Sequence, residues 1–234
     1  MTRTVILLLH RQWVFGLFFL PFFCLGFLGR SLVAVQSARG IVIDPGHGGI
    51  DGGCQDGRGN LEKDLNLAVA LRLAAALEKT GCPVKLTRRD DRALGATYAR
   101  DLDYRLAFAR QNGARALVSL HANWYYDPGA EGAVAVIPPS SPESEALARS
   151  ILARLKDLCH VKSEPIVMTD HRLLAAMPFP VVLLEMGFLS NPKEAARLQS
   201  VDYREALARA VAQGILDHMG TAARPEAPAP PKPR

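Results

Sequence analysis

The strongest constraint on this 234-residue sequence is an alternation, from residue 40 to residue 220, of short apolar runs with longer segments of helical periodicity. Runs that are apolar at every position are typical of strands covered on both faces, as in a parallel sheet. Helices between such strands provide the crossovers that parallel pairing requires. We therefore predict an α/β fold, a single three-layer domain in which helices flank a mostly parallel central sheet.

The same patterns predict the individual elements. Asn60 is the expected N-cap of the first helix and Gly81 its end, while Asn191 and Glu194 are the expected cap and partner carboxylate of a helix beginning at Pro192. The predicted strands cover residues 41–43, 84–87, 116–120, 134–137 and 181–184, and the other predicted helices cover residues 102–111, 142–159 and 202–219.

The formal net charge of +5 is carried by the ends of the chain. Residues 1–39 contain four arginines and no acidic residue, and residues 221–234 contain three basic residues and one acidic residue. The body between them holds 21 basic and 22 acidic residues. Because binding to nucleic acid calls for a basic face, we predict no nucleic-acid partner.

The two ends also differ from the body in composition. Residues 13–28 are apolar and uncharged, longer than the usual signal core of roughly 7–15 residues and shorter than the roughly 20 of a spanning helix. We predict that residues 1–39 are a signal peptide or a membrane anchor, with membrane contact in the second case. Residues 221–234 are proline-rich, and we predict a disordered tail.

Three polar residues stand at the predicted carboxyl ends of buried strands. His47 follows the first strand through a glycine-rich turn, His121 follows the strand 116–120, and Glu185 follows the strand 181–184. In an open α/β sheet these positions line the ligand crevice. Glu62, in the first turn of the next helix, faces the same rim, so we expect the four side chains to converge there.

Two histidines and two carboxylates suit a catalytic zinc site with three ligands and a separate proton carrier. Asp44 and Asp51 are candidates to orient the second ring nitrogen of His47. Each residue also has a structural alternative: a histidine at a strand end is often a surface residue, and Glu62 would favour the amino end of its helix. Spacing alone leaves both interpretations open.

Other polar residues have no supporting motif. We expect a structural role for His218, near the end of the last helix, and leave His160 unassigned. His171 is a weaker candidate for the edge of the cleft. We predict that Arg88 and Arg89 lie in a solvated loop beside acidic partners.

Five ordered motifs resemble those of zinc-dependent N-acetylmuramoyl-L-alanine amidases of the type-3 class. They are IVIDPGHGGIDGG, NLEKDLNLAVALRLAAALEKTG, LTRRDD, ALVSLHAN and VVLLEMGFLSNPKEAARL, and the resemblance covers about residues 41–219. The small catalytic body is most similar to the germination-specific, spore-cortex branch of the family. The resemblance implies that residues 40–220 are an amidase catalytic domain.

The resemblance also implies roles for the four site residues. His47, Glu62 and His121 fall where the family has its zinc ligands, and Glu185 falls where it has its catalytic glutamate. Met186 stands where many members have threonine. The implied reaction is hydrolysis of the amide between N-acetylmuramic acid and L-alanine in peptidoglycan, with Glu185 moving a proton from water to the leaving amine.

The implied partner is peptidoglycan, and the implied location is extracytoplasmic, in the cell wall or spore cortex. Two alternatives stay open: the same metal site could cut another amide, as a peptidase or deacetylase, or the fold could be an inactive wall-binding module. Retention of all four site residues argues against the second. The sequence does not indicate whether a protein activator is needed.

Overall fold

Six strands and five helices make up the part of the chain that the computed structural model describes, residues 40–162 and 164–222. The predicted leader, residues 1–39, lies outside it, as does the predicted tail beyond Ala222. The strands are β1 (Ile41–Pro45), β2 (Val84–Leu86), β3 (Ala116–Asn123), β4 (Val134–Ile137), β5 (Ile166–Val167) and β6 (Val181–Phe188). The helices are α1 (Glu62–Glu78), α2 (Tyr98–Gln111), α3 (Pro142–Leu155), α4 (Pro192–Gln199) and α5 (Val201–Ala222), with a 3-10 turn at Arg172–Leu174.

The strands form one mostly parallel sheet in the order β2-β1-β3-β6-β4-β5. The pairs β1 with β2, β1 with β3 and β3 with β6 are all parallel. β4 runs antiparallel to β6, and β5 is parallel to β4. The predicted α/β architecture is confirmed, whereas the two-residue β5 had no sequence prediction.

The two faces of the sheet are covered unequally. Alternate residues of β3 point to opposite faces, so that Leu120 belongs to the core cluster that includes residues of α1, α3, α4 and α5, while Leu117 belongs to the cluster that includes residues of α2 and the 3-10 turn. His121 and Glu185 share the face of α2, because they lie two residues beyond Ser119 and Leu183. The thinner layer on this face leaves room for a cleft at the end of the sheet.

Two strands are longer than predicted, which changes where the site residues lie. β3 continues to Asn123 and β6 to Phe188, so His121 and Glu185 sit within strands, and not after them. They occupy the same position in the parallel register. This pairing fixes the two side chains next to each other at the carboxyl end of the sheet.

Helix starts match the prediction at Pro142 and at the Asn191 cap but not at the other helices. The Asn191 side chain accepts hydrogen bonds from the backbone N–H groups of Lys193 and Glu194, as an N-cap does. Glu194 does not reach back to the cap; its carboxylate accepts from the backbone N–H groups of Gly132 and Phe188. Asn60 does not cap α1, because its amide donates to Asp56 instead.

Three other helix boundaries differ from the predicted ones by one to four residues. α2 begins at Tyr98, capped by Thr97, and α3 ends at Leu155, short of the predicted 159. α5 begins at Val201, one residue before the predicted start. Among the helices of the described residues, none combines the length and the apolar character needed to cross a membrane.

Candidate metal centre

His47, Glu62 and His121 come together at the carboxyl ends of β1 and β3. One carboxylate links the two rings: Glu62 Oε2 lies 3.1 Å from His47 Nε2, and Glu62 Oε1 lies 2.9 Å from His121 Nδ1. The two imidazole rings meet edge to face with their centroids 4.9 Å apart. His47 and His121 are 74 positions apart in the chain. The ends of β1 and β3 and the start of α1 bring them together with Glu62.

Glu62 is held in its charged form. Burial by itself would raise the pKa of this carboxyl, but hydrogen bonds with His121 and His47 hold it well below its usual range. The backbone N–H groups of Cys54 and Ala122 donate to the carboxylate at 3.0 and 3.1 Å. An ionised, buried carboxylate that faces two histidines is a strong anionic donor for a cation.

His47 adopts an unusual backbone conformation, with φ of 61°. Few residues other than glycine occupy this region, and such strain is concentrated at functional sites. Asp51 lies 2.9 Å from His47 Nδ1, as predicted, which leaves Nε2 directed at Glu62. Burial would lower the pKa of His47, but contacts with Glu62 and Asp51 raise it to about 9.

The donor set fits a zinc ion. One nitrogen or oxygen atom from each of His47, Glu62 and His121 lies within 4.8 Å of the others. Two histidines and a carboxylate, with a second carboxylate orienting one histidine, are a ligand set that catalytic zinc takes. A Cβ at Gly53 would lie 2.5 Å from Glu62 Oε2, so the loop can approach the carboxylate this closely only with glycine there.

Glu185 faces the same cleft from β6. Its Oε2 atom is buried and has no hydrogen-bond partner among the described residues. Burial, chiefly, raises the pKa of Glu185 to about 7. The cleft has a volume of about 280 Å³ and is lined by all four predicted site residues together with Tyr98, Trp124 and His171, among others. A carboxyl with a pKa near neutrality at a cleft is suited to take up and release a proton.

Two buried arginines fix the loop that carries His47. Arg88 donates to the carbonyl oxygens of Pro45 and Gly46, and Arg105 donates to those of Pro45 and His47. The prediction that Arg88 is solvated is wrong, since the side chain is 1% exposed. No local pattern indicates this burial, because Arg88 lies beyond the end of β2 and the carbonyl oxygens that it binds are 43 and 42 positions away.

Asp44 does not orient His47, contrary to one of the two predictions for this ring. Its carboxylate is fully buried and accepts from Thr87 Oγ1 at 2.5 Å, Ser119 Oγ at 2.8 Å and Arg105 Nη1 at 2.6 Å. Burial would raise the pKa of Asp44, but the Arg105 guanidinium holds it below its ordinary value. The role of Asp44 is to anchor Arg105, and only indirectly to hold the loop.

The other three histidines of the described residues differ in their surroundings. His171 lines the cleft with Glu185, and its buried Nδ1 has no partner in the described part of the chain. His218 is buried beside α3, with Nε2 3.9 Å from a carboxylate oxygen of Glu143. His160 borders a second cavity that also includes Glu185.

Comparison with known families identifies the same chemistry that the residues indicate. A family model described as N-acetylmuramoyl-L-alanine amidase matches residues 41–217. The chain is 33% identical over 189 residues to the germination-specific N-acetylmuramoyl-L-alanine amidase of Bacillus subtilis, covering 77% of this chain and 79% of that protein.

Solved structures show the same fold. The CwlD amidase from Clostridioides difficile, solved in complex with the GerS lipoprotein, is 32% identical, with a TM-score of 0.73 over 78% of this chain and 99% of that one. The catalytic domain of CwlV, an N-acetylmuramoyl-L-alanine amidase from Bacillus (Paenibacillus) polymyxa var. colistinus, is 31% identical, with a TM-score of 0.70 over 78% and 98% of the two chains.

Proposed function

Because this chain belongs to the N-acetylmuramoyl-L-alanine amidase family, we propose that His47, Glu62 and His121 hold a zinc ion for amide hydrolysis and that Glu185 is the general base. The chain is an N-acetylmuramoyl-L-alanine amidase that acts on peptidoglycan. The bond it cuts joins the lactyl carboxyl of N-acetylmuramic acid to the amine of L-alanine.

The observation that carries the assignment of roles is the contrast between the two glutamates. Glu62 is satisfied by two histidines and two backbone N–H groups, whereas Glu185 Oε2 is buried without a partner among the described residues. A ligand needs to be ionised and fixed, and a proton carrier needs a free oxygen and a pKa near neutrality. Glu62 has the first set of properties and Glu185 the second.

The chain's own residues then account for the proton transfers. A bound zinc ion would supply a Lewis acid for the carbonyl and lower the pKa of a water molecule. Glu185 takes a proton from the attacking water while the water oxygen bonds to the lactyl carbonyl carbon. When the C–N bond breaks, Glu185 delivers this proton to the departing amine of L-alanine. Arg88 and Arg105 keep the His47 loop in place through both steps.

We also propose an extracytoplasmic location and export through residues 1–39. The substrate lies outside the cytoplasmic membrane, and a relative from Staphylococcus aureus, 31% identical, is named a probable cell wall amidase. The similarity to a germination-specific amidase supports a role in spore-cortex remodelling. The CwlD amidase was solved with the GerS lipoprotein, so a lipoprotein is the first class of activator to test.

The experiment is a digest of purified peptidoglycan, followed by mass spectrometry, with and without a chelator. We expect release of stem peptides that begin with L-alanine, intact glycan strands, and loss of the products with chelator until zinc is returned. Peptides cut at internal bonds would identify a peptidase, and release of acetate a deacetylase. No release under any condition, including addition of a lipoprotein partner, would identify an inactive wall-binding module.

A further inference from the structure

A second cavity meets the candidate site at Glu185. It has a volume of about 590 Å³ and shares Asn123, Val136, Met168 and Glu185 with the cleft that holds the histidines. Val134 occupies the register position opposite Glu185 on the neighbouring strand and contributes to the wall of this cavity. Glu185 therefore lies where the two spaces meet, and the residues that line only one of them come from different segments of the chain.

The two spaces differ in chemistry. The cleft is bordered by Tyr98 and Trp124, which are 62% and 55% exposed and offer flat apolar ring faces. The second cavity has an apolar wall that includes Val134 and Phe188, with the exposed Lys162 at its rim. Within residues 40–162 and 164–222, the Lys162 ammonium group has neither a hydrogen bond nor an ion pair.

The substrate also has two unlike arms on either side of the scissile amide. One arm is the N-acetylated sugar, which is uncharged and has an apolar ring face. The other is the stem peptide, in which the small apolar L-alanine is followed by an acidic residue. Because the amide must lie at Glu185 for the proton transfers, each arm must leave Glu185 through one of the two spaces.

We infer that the second cavity binds the stem peptide and that Lys162 pairs with a carboxylate of its second residue. This inference rests on the proposed function. The volume falls in the roughly 300–1,000 Å³ range of ligand pockets, and the apolar wall next to Glu185 suits the alanine methyl group. The sugar then lies towards Tyr98 and Trp124.

Glu131 provides an internal control of charge, because it lies on the same rim and has the opposite sign. If the rim simply attracted any polar peptide, removal of either charge would have the same effect. If Lys162 pairs with an acidic residue, only the loss of Lys162 weakens the preference for that residue. Loss of Glu131 removes a repulsion and leaves the preference equal or larger.

The test uses two soluble substrates and the full chain loaded with zinc. The substrates are N-acetylmuramoyl-L-alanyl-D-glutamate and the same compound with both glutamate carboxyls amidated. Their kcat/KM values are compared for the wild type, Lys162→Gln, Glu131→Gln and Lys79→Gln, the last at an exposed lysine near the end of α1 that borders neither cavity. Cleavage of intact peptidoglycan is measured in parallel for each protein.

We expect the wild type to prefer the acidic substrate by roughly threefold to fivefold, the range of a partly exposed ion pair. Lys162→Gln loses this preference through KM and keeps the wild-type kcat on the amidated substrate, whereas Glu131→Gln and Lys79→Gln retain the preference. A wild type without preference, or a Lys162→Gln variant that keeps it, overturns the inference while cleavage of peptidoglycan still supports the proposed function. A wild type that cleaves neither substrate nor peptidoglycan overturns both.

Discussion

Gly46 lacks a side chain because the His121 ring occupies the space where one would be. A Cβ at residue 46 would lie 2.2 Å from His121 Cε1, far inside van der Waals contact. The backbone of Gly46 is also tied down, since its N–H donates to Leu120 and its carbonyl accepts from Arg88. An added methyl group can therefore be accommodated only by displacement of the imidazole.

We predict that Gly46→Ala lowers zinc affinity by about tenfold or more, the scale seen when groups that orient metal ligands are altered. Gly57→Ala is the matched control, because it lies in the same glycine-rich loop and has no atom within 4 Å of a new Cβ. Zinc affinity is measured by competition with a chelating dye. Equal affinity in the two variants would show that His121 is not held as described.

At the scale of elements, the loop after β1 is held by a buried charge network in addition to its backbone hydrogen bonds. Arg105 reaches from α2 to Asp44 in β1 and to the carbonyl oxygens of Pro45 and His47. Removal of one partner leaves an uncompensated buried charge. The free energy lost in this way is larger than the stabilisation that the intact pair provides. The network links the stability of the fold to the position of His47.

We predict that Arg105→Met lowers the free energy of unfolding by about 3–5 kcal/mol, because Asp44 loses its cation. Arg209→Met, at an exposed pair with Glu205 on α5, should change it by about 0.5 kcal/mol or less. Urea unfolding followed by circular dichroism measures both. A loss for Arg105→Met no larger than that for Arg209→Met would contradict the network's role.

The same variant changes stability in acid. In the wild type the pKa of Asp44 is below its ordinary value of 3.8, so its contribution to stability is present above that pH and is lost only as the pH falls through the folded-state pKa. Without Arg105, burial would raise that pKa instead. The folded variant then binds a proton at Asp44 more readily than the unfolded chain does, so the difference in unfolding free energy between wild type and Arg105→Met should be largest near neutral pH and should shrink in acid. Urea unfolding of both proteins at neutral and at acidic pH measures this difference, and a difference that grows in acid would contradict the prediction.

Sequence patterns predicted the elements better than the contacts between them. The four-residue spacing in α1 was sufficient because Leu65, Val69, Leu73 and Leu77 all pack in one core. The ends of the predicted strands and the first turn of α1 located the four site residues, and the family motifs implied a role for each of them. Arg88 was misassigned because a charged residue next to a turn is usually solvated, and its partner Pro45 is 43 positions away. Asp44 was misassigned because it is close to His47 in the sequence, whereas its charged partner Arg105 is 61 positions away.

For the whole molecule, the distribution of charge along the chain is more informative about location and partners than the net charge of +5. The body is nearly neutral, while residues 1–39 add four arginines around an apolar stretch. This distribution agrees with an export signal at residues 1–39 and gives no support for a nucleic-acid partner. Export in turn is what an enzyme of peptidoglycan requires.

We predict that one arginine placed in the centre of this stretch, as in Leu20→Arg, retains the protein in the cytoplasm. An arginine at the centre of an inserting segment costs about 2.5–3.5 kcal/mol. Gln36→Arg adds the same charge beyond the apolar stretch and should leave export unchanged. Cell fractionation with immunoblotting measures the location, and equal export of both variants would exclude the segment as the export signal.

The most direct test of the central claim is the zinc content and turnover of Glu185→Gln, measured on the same preparation. We predict zinc equal to that of the wild type and a loss of turnover of at least about a hundredfold, because Glu185 carries the proton and does not bind the metal. His121→Ala, prepared in parallel, should lose zinc. Near wild-type turnover in Glu185→Gln, or a loss of zinc as large as that of His121→Ala, would contradict the separation of roles proposed for this site.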